Sequence, residues 1–152
     1  MRSAAPLLTQ RRVLVDSSAY LGFLDADDEH HAQARRLFAE LARLRYRLYT
    51  TNAMLFEAHA LILSTLGRKT AGQFLQQVDA SSTVVVRVRA SDESRARQIL
   101  FHYTDKDFSF NDAISFVVME RLTIRAAFTF DRDFVQYGLP ILTTELLGAS
   151  SP

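Results

Sequence analysis

A chain of 152 residues with 48% hydrophobic residues, 23% charged residues and a formal net charge of +1 has the size and composition of one globular domain and not of a disordered segment. Near-neutral charge names no partner, and no apolar run approaches the roughly 18 residues of a membrane-spanning helix. The absence of cysteine excludes disulfides, Cys-ligated zinc and thiol nucleophiles together, and fits a reducing compartment such as the cytoplasm.

The basic residues are all Arg except Lys69 and Lys106. Arg suits bidentate contacts to phosphate, and a GC-rich genome enriches it too. The N-terminal apolar stretch is too short for a signal peptide. Residues 1–11 and 146–152 read as flexible flanks of a single domain over 12–145.

Arg12-Val13-Leu14-Val15-Asp16 predicts a central parallel strand, apolar on both faces, that ends on an acid. A short helix through Tyr20–Leu24 follows, and Asp16 reads either as its N-cap or as a ligand at a strand end. Asp27-Asp28-Glu29 predicts the first turn of a longer helix, where acids complement the helix dipole. Its apolar stripe is Ala34, Leu37, Phe38, Leu41 and Leu44. His30 and His31 are adjacent, so they point about 100° apart and read as surface or packing residues.

Arg47–Thr51 predicts a second strand, with Asn52 capping a helix that Gly67 closes. From Ala53 to Leu63 only Glu57 and His59 are polar. Such a helix is expected to be mostly buried, and a buried Glu needs a partner, either a donor within the chain or a metal. Lys69–Val78 predicts an amphipathic helix anchored by Phe74, Leu75 and Val78. Ser82–Arg89 predicts a third strand with Arg87 and Arg89 on one face, either protecting an edge or facing phosphate. Another helix starts at Ser91-Asp92-Glu93.

The stretch from Tyr103 to Phe134 organises the rest. A polar loop, Thr104–Asn111, leads into an apolar helix that opens on Asp112, and Ser109 and Asp112 have the spacing of a capping box. A strand over Ala126–Phe130 stops on Asp131-Arg132-Asp133. Leu139–Thr143 predicts a weak last strand, at an edge because of Pro140. Strands alternating with helices predict a parallel sheet covered on both faces, whose strand ends are where ligands bind. Asp112, Asp131 and Asp133 at one such edge repel each other, and a structural core gains nothing from that. A divalent cation compensates them, and hard carboxylate oxygens favour Mg²⁺ or Mn²⁺. That chemistry suits the cutting of a phosphodiester.

Other readings fit less well. A haloacid-dehalogenase-type phosphatase has Asp-x-Asp after its first strand, where this chain has Ser18. Neither G-x-x-x-x-G-K nor G-x-G-x-x-G occurs, so no nucleotide cofactor is indicated.

Four segments in order, VLVDSS, TTNAMLFEAHAL, SFNDAISF and TFDRDF, resemble the PIN domain, and most closely the toxin ribonucleases of VapBC-type toxin–antitoxin pairs. The resemblance runs from about Val13 to Thr143. It implies a three-layer α/β/α sandwich around a mainly parallel sheet of about five strands. It also implies a Mg²⁺- or Mn²⁺-dependent endoribonuclease with Asp16, Glu57, Asp112 and Asp131 catalytic. Asp16 and Asp112 would bind the metal most directly with Asp131 close by, and Glu57 and Asp133 would act partly through water. Ser18 and Thr129 would orient carboxylates from behind. The implied partners are RNA, a cognate antitoxin and a second copy of the chain, with no membrane. A catalytically silent PIN-like scaffold and a non-toxin PIN nuclease are the competing readings.

Overall fold

The computed structural model describes residues 10–148 of the chain. Residues 1–9 and 149–152, part of the predicted flanks, lie outside the described residues. At the inner edges of those flanks, Arg11 donates from its guanidinium to the Leu44 carbonyl at 3.2 Å, and Leu147 is buried.

The elements run β1 (Arg12–Val15), α1 (Ser17–Leu24), α2 (His31–Arg43), β2 (Arg47–Thr51), α3 (Asn52–Leu66), α4 (Arg68–Ala80), β3 (Val84–Val86), α5 (Ala90–His102), α6 (Phe110–Leu122), β4 (Ala127–Phe128), α7 (Asp133–Tyr137) and α8 (Thr144–Gly148). The four strands form one parallel sheet in the order β3-β2-β1-β4. Along β1 the side chains alternate faces. Val13 and Val15 enter a core with Leu37, Leu41, Ile62, Phe74 and Phe128 from one helical layer and β4. Leu14 enters the opposite core with Ile99, Phe116, Met119 and Phe134. The result is the expected α/β/α sandwich with helices on both faces.

Among the described residues the sheet has four strands where about five were expected. The segment around Pro140 contributes one isolated bridge, Ala127 to Ile141, because proline has no N–H to extend a ladder. Helix α2 begins at His31 and not at Asp27. The Asp28 carboxylate accepts from the His30 N–H at 2.8 Å, and the Asp28 carbonyl accepts from the His31 N–H at 3.0 Å. This local turn competes with helix. Helix α3 is capped by Thr51, whose hydroxyl accepts from the Met54 N–H at 2.9 Å. Asn52, the expected cap, instead accepts from the Val88 N–H at 3.0 Å and ties the end of β3 to α3. That strand is three residues long, which leaves Arg87 and Arg89 exposed beyond it.

A buried ion pair joins α5 to α6. Asp92 is 2% exposed and accepts from Arg121 Nε at 2.9 Å and Nη2 at 2.8 Å. Burial pushes the Asp92 carboxyl up, but the bonds from Arg121 and from the Arg89 N–H outweigh it and hold the group below its ordinary value. This pair fixes the helix that carries Asp112.

The strand order places β1 between β2 and β4, so chain direction across the sheet reverses between β1 and β4. A crevice opens at the carboxyl ends of the strands at such a point. Asp16 follows β1 there, and Asp131 follows β4.

Candidate active site

Asp16 caps α1 in extended conformation, with φ −88° and ψ 160°. Its Oδ2 accepts from the Ser18 N–H at 3.2 Å, the Ser18 hydroxyl at 2.6 Å and the Thr129 hydroxyl at 2.9 Å. Ser18 in turn accepts from the Phe130 N–H at 3.0 Å, and Thr129 accepts from the Asp131 N–H at 2.9 Å. Asp131 accepts from the Asp133 N–H at 2.9 Å. One chain of hydrogen bonds thus links the end of β1 to both acids after β4. Asp16 is at once the N-cap of α1 and part of the lining of the cleft.

Asp112 likewise caps a helix and faces the cleft. Its N–H donates to the Ser109 hydroxyl at 3.0 Å, and its Oδ2 accepts from the Ser109 N–H at 3.0 Å. The capping box is complete, and the same carboxyl faces Asp131 and Asp133. Asp112, Asp131 and Asp133 each bring one oxygen within 4.8 Å of the others.

Glu57 departs from its expected environment, because it is exposed. Helix α3 buries only Met54, Ala58 and Ile62, so its apolar composition overstated its burial. The Glu57 carboxylate accepts from the Ser17 hydroxyl at 2.9 Å and the Asn111 amide at 3.0 Å. Neither donor was read from the sequence as a partner of Glu57, although each adjoins a predicted acid.

All five predicted acids line one cleft of about 360 Å³, together with Asp28, Asp107 and His30. Seven carboxylates face this space, and among the described residues no Lys or Arg lines it. His30 stacks flat on Phe130, with centroids 4.3 Å apart and planes 2° apart, as its packing role predicted. Burial pushes Asp16 up to about 6 against the hydrogen bonds from Ser18 and Thr129. Burial, and then the neighbouring Asp133, push Asp112 up to about 6.

A group of hard carboxylate oxygens that no Lys or Arg among the described residues balances fits a hard divalent cation. The raised carboxyls set a pH dependence. Each group's contribution to folded stability is present below about pH 4 and is lost as pH rises through about 6. A cation held in this cleft would need both groups ionised, so its stabilising effect would grow over the same window. Thermal melts at roughly pH 5 and pH 8 should show a Mg²⁺-dependent rise in Tm only at the higher pH; an equal rise at both would contradict this assignment.

Residues 13–139 match the model of the PIN domain family. Two curated relatives, both named 23S rRNA-specific endonuclease VapC20, come from Mycobacterium tuberculosis strains CDC 1551 / Oshkosh and ATCC 25618 / H37Rv. Each is 32% identical over 127 residues, spanning 83% of this chain and 94% of the relative. The crystal structure of Mycobacterium tuberculosis VapC20, described as a Sarcin-Ricin loop cleaving toxin, aligns with a TM-score of 0.77 at 29% identity. The match covers 84% of this chain and 95% of that one.

Proposed function

The chain belongs to the PIN domain family, and from that premise we propose that it is a Mg²⁺- or Mn²⁺-dependent endoribonuclease, the toxin of a type II toxin–antitoxin pair. The observation that carries the reading is the cleft itself. Seven carboxylates line it without one Lys or Arg among the described residues, at the sheet's switch point, in a chain whose matched relatives are named as 23S rRNA endonucleases. No helix among the described residues is long and apolar enough to cross a membrane, and we place the protein in the cytoplasm with its RNA.

Asp112, Asp131 and Asp133 would hold the ion, with Asp16 beside them. When bound, the ion supplies Lewis acidity toward a phosphate oxygen and a nearby water. The chain's own residues position the rest. Ser18 and Thr129 pin one oxygen of Asp16, which leaves its rotamer no freedom. Ser17 and Asn111 hold Glu57 at the rim, where it takes the proton of the attacking water. Among the described residues no His lies within hydrogen-bonding distance of a Ser–acid pair, so no Ser-His-Asp nucleophile is invoked.

The partners of this reading are the RNA substrate, a cognate antitoxin and a second copy of the chain in a symmetric homodimer. The antitoxin would set an Arg or Lys against the acids and an apolar helix in a groove. The first substrate to test is 23S ribosomal RNA. Incubation of ribosomes and of a single-stranded RNA panel with the protein should give discrete cuts in Mg²⁺ or Mn²⁺ and none in EDTA. Ca²⁺ should bind but support little cleavage, because it tolerates looser coordination. Undiminished cleavage in EDTA would refute the metal mechanism.

A further inference from the structure

Seven carboxylates line the cleft, and such a surface repels the phosphates of RNA. A donor from the chain offsets this where the proposed ion does not reach. Among the described residues His30 is the one side chain in the lining that carries a nitrogen. Three hydroxyls line the cleft too. Ser17 donates to Glu57 at 2.9 Å, and Ser18 donates to Asp16 at 2.6 Å. The Ser109 hydroxyl accepts from the Asp112 N–H at 3.0 Å.

The imidazole of His30 is held in place before any substrate arrives. Its ring lies flat on Phe130, with centroids 4.3 Å apart and planes 2° apart. Its backbone N–H donates to Asp28 at 2.8 Å. The next ring, His31, bonds through Nδ1 to the Gly22 carbonyl at 2.8 Å and ties this turn to α1. Phe130 belongs to the site as well, since its N–H donates to the Ser18 hydroxyl that holds Asp16. Ring and acid thus share one frame, and a group ordered in advance loses little entropy on binding.

The edge of the ring is already marked by an anion. His30 Nε2 lies 3.2 Å from Glu29 Oε1, and a carboxylate there keeps the ring proton on Nε2. Glu29 is 85% exposed, and an exposed pair of this kind is readily displaced. A neutral imidazole donates from Nε2 as a charged one does, so the contact needs no particular charge on the ring. We propose that His30 is a substrate-positioning residue, whose Nε2–H leaves Glu29 and donates to a non-bridging phosphate oxygen of the RNA at the cleft. This rests on the endoribonuclease reading above. The ring takes no part in bond breaking.

Steady-state cleavage in Mg²⁺, on whichever RNA of the ribosomes and the single-stranded panel the wild type cuts, tests it. His30→Phe keeps the stack on Phe130 and removes the donor. It should raise KM about 10-fold with kcat nearly unchanged. That is the low end for a hydrogen bond to a charged group, because the His30 side chain is 38% exposed. Its Tm and its Mg²⁺ binding by calorimetry should match the wild type. His30→Gln loses the stack but keeps an N–H at similar reach, and its KM should lie nearer the wild type than that of His30→Phe. Glu29→Ala should not raise KM. A wild-type KM in His30→Phe, or the reverse order of the two His30 variants, overturns the proposal and leaves His30 a packing residue. Loss of Mg²⁺ binding in His30→Phe also overturns it, since the ring would then serve the ion. A KM raised by Glu29→Ala as much as by His30→Phe overturns it as well, because the pair with Glu29 would then be what the ring is for. None of these outcomes touches the nuclease reading, whereas a wild-type protein that cuts no RNA overturns both.

Discussion

Asp112→Asn should leave the fold intact, remove the stabilising response to Mg²⁺ and reduce RNA cleavage to the level of a protein-free control. Asp112 has two roles, and this substitution separates them. In the capping box the Asp112 oxygen accepts from the Ser109 N–H, and an Asn oxygen can accept the same bond. The lost charge removes a dipole term of about 0.3–1 kcal/mol. Against that, burial and Asp133 push the Asp112 carboxyl up to about 6. Its stabilising contribution is therefore already lost above that pH, where the ionised group opposes folding. Asn has no charge to bury and can donate to Asp133. At about pH 8 without metal, the variant should melt at the wild-type temperature or higher. With Mg²⁺ at a hundred times its dissociation constant the wild type gains roughly 2.7 kcal/mol, and the variant should lose most of that gain. A variant that is clearly less stable without metal yet keeps its Mg²⁺ response and its activity would make Asp112 a cap and nothing more.

Asp16→Ala should lower the metal-free stability by about 2–4 kcal/mol and also abolish cleavage. Asp16 is 4% exposed, and one of its oxygens gathers three donors from the start of α1 and the end of β4. Removing it costs an N-cap, typically about 1 kcal/mol. It also orphans donors at about 1–3 kcal/mol each, although hydroxyls that can turn to other partners recover part of this. The carboxylate's own burial, which pushes it up to about 6, offsets a further part. For a domain of this length the net change corresponds to a fall in Tm of roughly 5–15 °C. Asp16→Asn retains an acceptor and should recover most of the stability while staying inactive. Thermal melts in EDTA and cleavage assays on both variants check this. An active Asp16→Asn protein would leave Asp16 a purely structural role.

The layers, the parallel sheet and the convergence of acids were legible in the sequence because each rests on a local pattern. VLVD marks a buried strand that ends on an acid, and SFND marks a helix start. Three strands, β3, β4 and the segment around Pro140, were read too long, because their ends depend on partners that a linear pattern does not contain. The segment after β4 meets Pro140, and β3 stops after three residues at the turn where Val88 bonds to Asn52. Glu57 was read as buried because α3 is apolar nearly throughout, yet that helix packs along one stripe and leaves Phe56 and Leu63 in solvent. The support of Glu57 by Ser17 and Asn111 joins residues 40 and 54 positions apart. No periodicity reports a contact of that range. The start of α2 was misplaced because Asp28 satisfies the His30 N–H through a turn, a choice that helix propensity alone does not decide.

Under the proposed function this cleft binds a divalent cation through its carboxylates, and RNA cleavage depends on that ion. Calorimetric titration of Mg²⁺ into the wild-type protein and into Asp112→Asn, at about pH 8, tests the binding step without a substrate. A saturable Mg²⁺ site in the wild type that is lost or strongly weakened in the variant is the predicted result. No Mg²⁺ binding by a folded wild-type protein, or equal binding by both proteins, would contradict it.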